Sequence, residues 1–319
     1  MRLYQIIYGL SFACLCLLFT PVIGLASSSA APSTHSQYVT KLSVVNAQTF
    51  RDLRAITTPI TAQKVIDAVT FLGTDNQIYR LAGIDIPNPE NDDGARAIDA
   101  LRELIEGKPL RGYMSKKDTK GRTNRMGQII IHATTKNNVW VQGYLIENGL
   151  ARVATTISNA EQSENMLAIE QQARAAGIGI WAKDETRVIS SDEALNRLNS
   201  FQIVEGVVTS VATIRNQMYL NFGIRGQSDW RKDFTIGISP ALRKSLTRKK
   251  INTMEMQNAR VRVRGWVQNY NGPYIELTHP EQLELLSKGS ALPQGAIETP
   301  QIPAIATPKI EKPTVNSNE

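Results

Sequence analysis

The apolar residues of this 319-residue chain change period several times along its length. Residues 63–71 and 77–84 alternate apolar and polar side chains, which predicts two strands. The Gly73-Thr74-Asp75-Asn76 segment between them is a turn sequence. Over 95–106 the period lengthens. Ile98, Leu101, Leu104 and Ile105 fall on one helical face, and Gly107-Lys108-Pro109 stops the helix. Residues 110–115 and 128–133 read as strands joined by a basic hairpin. Asn138 is a candidate cap for a helix that buries Trp140, Val141, Tyr144 and Leu145, with Gly149 past its end. A last helix, 161–176, aligns Met166, Ile169, Ala173 and Ala176. Gly177 ends it, and residues 178–181 fold back as an apolar clasp.

Beyond this region the pattern turns strand-rich. Runs at 202–211, 218–222, 233–238, 259–268 and 274–277 read as strands, with a short helix within 239–250. Five strands with one intervening helix match the small Greek-key barrel called the OB-fold. The fold class expected is α+β and mostly β: two barrels in tandem. The organisation expected is a signal peptide over 1–26 and a loose leader over 27–59, with a short helix near 49–56. The first domain then spans 60–182, a linker 183–200 and the second barrel 201–286. The tail, 287–319, has five prolines and no apolar periodicity, and reads as disordered.

The N-terminus sharpens the setting. Arg2, an apolar run over 6–19 and the small-residue segment Gly24-Leu25-Ala26 have the form of a cleavable secretory signal, which implies a periplasmic or secreted protein. The alternative is an uncleaved inner-membrane signal anchor; Pro21 and the short apolar core argue against a stable span. Both cysteines, Cys14 and Cys16, lie inside this segment, so the mature chain would hold no disulfide and no thiolate metal site. The formal net charge is +7. A basic balance favours anionic partners without choosing among them. His35, His132 and His279 show no metal-ligand spacing, and no Walker loop, Rossmann glycine pattern or serine–histidine triad is visible.

Five segments in order carry a resemblance: KVIDAVTF (64–71), YRLAGIDIP (79–87), GRTNRMGQ (121–128), ENGLARV (147–153) and ARAAGIGIW (173–181). Together they resemble the staphylococcal nuclease family. The resemblance implies a five-stranded OB-type barrel with three helices. In members that cut nucleic acid, two aspartates and one backbone carbonyl hold calcium. A glutamate after the proline activates water, and two arginines clamp the phosphate. A hard cation wants oxygen ligands, a base must reach the water, and guanidinium forks fit phosphate.

Carried over by position, the resemblance gives a mixed result. Arg80 falls on the first clamp and Asp85 on one calcium ligand, and Ile86 can still offer its carbonyl. Val69 stands where the second aspartate belongs, Asn88 where the base belongs and Gln128 where the second arginine belongs. Loss of a general base alone costs ~10²–10⁴ in rate. The expected function is therefore binding of nucleic acid or another polyanion by a degraded nuclease site, with calcium relevant only if the site is active. A rebuilt calcium-dependent phosphodiesterase would use Arg80, Asp85 and Glu90, with Asp67, Asp92, Arg122 or Arg125 assisting. A third class is a structural or protein-binding component of the cell envelope.

The plainer alternatives are that Arg80 merely pairs with Asp85, that Asp67 is a turn or capping residue rather than a ligand, and that Glu90, Asp92 and Asp93 form a solvated acidic turn. Lys116, Lys117, Lys120, Arg122 and Arg125 on the hairpin are candidate phosphate contacts, as are Arg262 and Arg264 on one strand face. Trp266, Tyr270 and Tyr274 flank that strand and could stack bases, although core packing is the favoured expectation for Trp266. The second region also resembles the OB-type nucleic-acid-binding modules appended to bacterial nucleases, through VEGVV (204–208), MYLNFG (218–223), DFTIGI (233–238), VRVRGWVQNYNGPYIEL (261–277) and THPEQLELL (278–286).

Overall fold

The computed structural model describes residues 43–116, 121–223, 229 and 231–288. The signal segment, Lys117, Lys120 and nearly all of the proline-rich tail lie outside the described residues.

The first barrel is built from β2 (Ile60–Asp67), β3 (Thr70–Gly73), β4 (Ile78–Leu81), β6 (Pro109–Ser115) and β7 (Ile129–Thr135). The pairings β2–β3–β4–β7–β6–β2 close the ring, and β1 (Leu53–Ala55) adds outside β6. Where a single strand over 63–71 is expected, the chain turns at Ala68–Val69. Asp67 causes this: its Oδ1 accepts the Val69 N–H at 2.8 Å and starts a tight turn. The short helix expected near 49–56 is a 3-10 turn over Ala47–Phe50, followed by β1.

Three helices cover the barrel. In α1 (Asp92–Ile105), Ala97, Leu101 and Ile105 face inward. In α2 (Val141–Glu147) every residue but the last is buried. Its cap is Trp140; Asn138 instead occupies a turn at φ 60° and accepts from Arg111. In α3 (Ser163–Ala175), Met166, Glu170 and Ala173 are buried while Ala176 is exposed, so the inward face is rotated from the one expected. The clasp after α3 is real: Ile180 and Trp181 are buried, and the Ile180 N–H reaches the Gly149 carbonyl at 2.8 Å. Gly149 (φ 61°) and Gly179 (φ 58°) pass backbone to backbone there, and a Cβ on either would strike the other segment.

Residues 183–200, expected to link the barrels, contain β9 (Ile189–Ser190) and a 3-10 helix over Ser191–Arg197 that buries Ala194. The second sheet holds β10 (Ser200–Val207), β11 (Ser210–Ile214), β12 (Gln217–Asn221), β13 (Thr235–Ile238), β14 (Arg260–Asn269), β15 (Pro273–Leu277) and β16 (Leu283–Ser287). Its order is β11-β12-β13-β15-β14-β10-β9, with β16 paired to β14. The sheet curls around Val204, Leu220, Ile236, Val261, Val263 and Ile275, and α4 (Pro240–Arg248) adds Leu242 and Leu246 to that core. The architecture is α+β and mostly β, a closed five-stranded barrel followed by a curled OB-like sheet. Within 40–319 the described residues form one compact unit. Among the described residues no helix is long and apolar enough to cross a membrane.

Candidate functional site

Strand pairing places Arg80 between Thr70 on β3 and Ile130 on β7. The Ile130 N–H continues to the Arg122 carbonyl at 2.9 Å, so Arg122 takes the next place in the row. Cross-strand neighbours share a face, and two arginines thus stand on one rim with Ile130 between them. Arg80 is half-buried, and its Nη1 lies 3.5 Å from Thr70 Oγ1. Arg122 is held by its Nε, which donates to the Ser115 carbonyl at 3.0 Å. Arg125 is exposed on the hairpin, and Lys116 donates to the Arg51 carbonyl. Gln128 is occupied within the hairpin: its Oε1 accepts from Asn124 Nδ2 at 2.6 Å.

Asp85 does not pair with Arg80. It lies in β5 (Ile84–Asp85), opposite Arg152 of β8 (Arg152–Val153). Arg152 Nε and Nη2 donate to its Oδ2 at 3.2 and 2.8 Å. The same guanidinium donates to the Phe201 carbonyl at 3.1 Å and lies 4.3 Å over the Phe201 ring. A residue of the second barrel thus fixes the arginine that holds the expected metal ligand.

The donor set does not fit a calcium ion. Val69 is buried, its side chain has no ligand atom, and its carbonyl accepts the Leu81 N–H at 2.8 Å. Asp67 is committed to its turn and Asp85 to Arg152. Among the described residues no three His, Cys, Asp or Glu side chains are grouped closely enough to hold a metal. The side chains at these positions thus offer no pair of free carboxylates to a cation that prefers anionic oxygen ligands.

Glu90 is exposed, and no hydrogen bond or ion pair joins it to Arg80 or Asp85. Its loop is pinned rather than loose. Asn88 adopts φ 49°, its carbonyl accepts the Asn91 N–H at 3.1 Å, and Asn91 caps α1 through the Asp93 and Gly94 N–H groups. Gly94 packs so closely on the Pro89 backbone that no side chain fits there. Asp92 is exposed, but Asp93 is not part of a solvated acidic turn. It is buried and paired with Lys183 at 2.5 Å and with Arg96. Burial alone would raise its carboxyl; Lys183 and Arg96 override that and hold it below the ordinary carboxylate value.

The second barrel corrects two candidate contacts. Arg264 is 1% exposed and donates to Glu170 of α3 at 2.9 and 3.1 Å, to Glu284 at 2.8 Å and to the Val153 carbonyl at 3.1 Å. Burial would lower its guanidinium, but Glu170 and Glu284 raise it above the ordinary arginine value. Arg262 pairs with Glu205 at 2.7 Å and with Glu284 at 3.3 Å. Neither arginine is available to phosphate. The strand alternation is as expected, but the outer face of β14 is covered by the first barrel.

Trp266, two residues further along that face, emerges beyond the covered zone and is 60% exposed. It is not a core residue. It stands opposite Phe201 in the β10–β14 register. Trp266, Phe201, Arg152 and Asp85 therefore follow one another along the junction of the two barrels. Arg152, Phe201 and Glu170 are the residues that sequence reasoning missed. Only Glu170 left a signal: a carboxylate at the helical spacing of Met166 and Ala173 marks a buried charge needing a partner.

No curated protein matches the chain. The family model described as staphylococcal nuclease homologue matches residues 78–183, from β4 through the clasp that follows α3. Residues 78–183, which carry β4, β6, β7 and the three helices of the closed five-strand barrel, are thus similar to staphylococcal nuclease homologues, and an OB-like sheet follows them in the chain.

Proposed function

We propose that this is an exported protein whose nuclease-like domain binds nucleic acid without hydrolysing it. The observation that carries the reading is the capture of Asp85 by Arg152, beside Val69, Asn88 and Gln128 at the other chemical positions. The phosphate-facing part survives better. Arg80 and Arg122 share a rim, Arg125 is exposed on the neighbouring hairpin, and the chain carries a net charge of +7. Guanidinium groups so placed hold a phosphate backbone without reading its sequence. Trp266 beside Phe201 offers a ring face on which a base can stack, and Arg152 adds a cation over the second ring. Export rests on the apolar run over residues 6–19 and the Gly24-Leu25-Ala26 segment, which have the form of a signal.

Titration of a labelled single-stranded oligonucleotide with the mature protein at several salt concentrations tests the binding. Affinity is expected to fall steeply with salt. Trp266→Ala is expected to weaken it about fivefold to a hundredfold, the range of one lost stacking contact at ~1–3 kcal/mol. Arg80→Ala should flatten the salt dependence. Absence of binding at low salt would contradict the reading and favour a protein partner in the envelope.

A further inference from the structure

The outer face of the second sheet holds a different kind of site. Along β12, β13 and β15 the core takes Met218, Leu220, Ile236, Ile238, Ile275 and Leu277. The alternate positions point outward: Gln217 and Tyr219 on β12, Gly237 on β13, Tyr274 and Glu276 on β15. Tyr219, Gly237 and Glu276 form one cross-strand row. Gly237 is the floor of this row; a side chain there would collide with the Tyr274 hydroxyl and the Glu276 carboxylate. The Tyr274 hydroxyl and Gln217 Nε2, the latter at 3.1 Å, both donate to Glu276. Tyr270, from the turn between β14 and β15, sits with its ring centroid 5.4 Å from that of Tyr274, tilted by 49°, and is 58% exposed.

Glu276 is half-buried, yet among the described residues no lysine, arginine or histidine forms an ion pair with it. Glu170, Glu205, Glu281 and Glu284 each face such a partner. Glu276 is thus oriented by two neutral donors and has no counter-ion among the described residues; Tyr274 is buried and meets it through its hydroxyl, Tyr219 lies in the same cross-strand row, and Tyr270 offers the exposed ring. Aromatic rings attract cations through their negative faces, and a neighbouring carboxylate adds a charge-assisted hydrogen bond.

We propose that Tyr219, Tyr270, Tyr274 and Glu276 form a binding site for an alkylammonium or guanidinium group. The phenols respond to the same convergence. Burial, then Tyr270 and Glu276, raise Tyr219; burial, then Glu276, raise Tyr274. The site is separate from the arginine rim of the first barrel and takes the opposite charge. Two sources carry such a group: a free polyamine, or a lysine or arginine side chain of a basic peptide.

Calorimetric titration of the nucleic-acid-free full-length protein with spermidine, and separately with a short lysine- and arginine-containing peptide, tests the site and tells its source. Binding of at least one probe is expected. The isosteric Glu276→Gln variant should weaken it roughly tenfold or more, and Tyr270→Ala, at an exposed position, should weaken it severalfold. Spermidine binding alone identifies a small-amine site, and tighter binding of the peptide identifies a peptide site. Binding of neither probe, or equal binding by the wild type and a folded Glu276→Gln protein, overturns the proposal.

Discussion

Replacing Arg264 with alanine is expected to lower the stability of the protein by about 3–5 kcal/mol, the cost of leaving a buried charge without its partner. The orphaned group is Glu170, which is fully buried and meets Arg264 through both carboxylate oxygens. Arg174 cannot replace it at the observed distance, since its Nε lies 3.7 Å from Glu170 and its own guanidinium is already disfavoured by burial. Glu284 is affected less, because Arg262 remains beside it. Pairing Arg264→Met with Glu170→Gln should recover part of the loss, because it removes both charges and leaves an oxygen to accept the Val153 N–H now held at 2.7 Å, while Arg174 gives up its 3.7 Å ion pair with Glu170. Urea denaturation followed by circular dichroism measures both variants. A loss below about 1 kcal/mol for Arg264→Ala would show that the pair is not sequestered from water.

Acid is expected to destabilise the protein well before its carboxylates protonate. His132 is buried against Phe50 and Trp140. Burial lowers its pKa from the ordinary histidine value to about 3, opposed only in part by a hydrogen bond with the Glu161 backbone. An unfolded histidine binds its proton near pH 6.5. Between those values the unfolded chain holds a proton that the folded chain refuses, so this contribution is complete above pH 6.5 and is lost as pH falls toward 3. The slope is ~1.4 kcal/mol per pH unit, or about 2 kcal/mol by pH 5. Denaturation of the wild type and of His132→Leu at pH 7, 6 and 5 should give profiles that diverge by about that amount, with the variant the flatter. Parallel profiles, or a His132 imidazole NMR signal, assigned by its loss in His132→Leu, that titrates near pH 6.5 in the folded protein, would contradict the burial of His132.

Much of the fold was legible because it depends on short-range patterns. Apolar patterning located β4, β6, β7 and most strands of the second sheet, and the apolar stripe Ile98, Leu101, Leu104 and Ile105 located α1, although Ala97 rather than Ile98 is fully buried there. The expectations that failed depend on what lies across from a face. Arg264 and Trp266 sit two residues apart on the same side of β14, so alternation treats them alike. The first barrel covers one and leaves the other open. Asp93 sits in an acidic run, but Lys183, ninety positions later, makes it a buried ion pair. The turn role expected of Asp67 holds, but the strand break at Ala68–Val69 was hidden because those residues are apolar. At the candidate site, the substitutions Val69, Asn88 and Gln128 were plain in the sequence. The capture of Asp85 was not, because Arg152 reaches it through a two-residue strand pairing and is held there by Phe201 of the other barrel.

Binding without hydrolysis is tested most directly by incubating the mature protein with end-labelled single-stranded DNA and RNA, with calcium or with chelator, and resolving both bound complex and fragments. A salt-sensitive complex of intact oligonucleotide is expected, the same with calcium as with chelator. Calcium-dependent fragments that disappear in Arg80→Ala would contradict it, and would show that the site has been rebuilt around other residues.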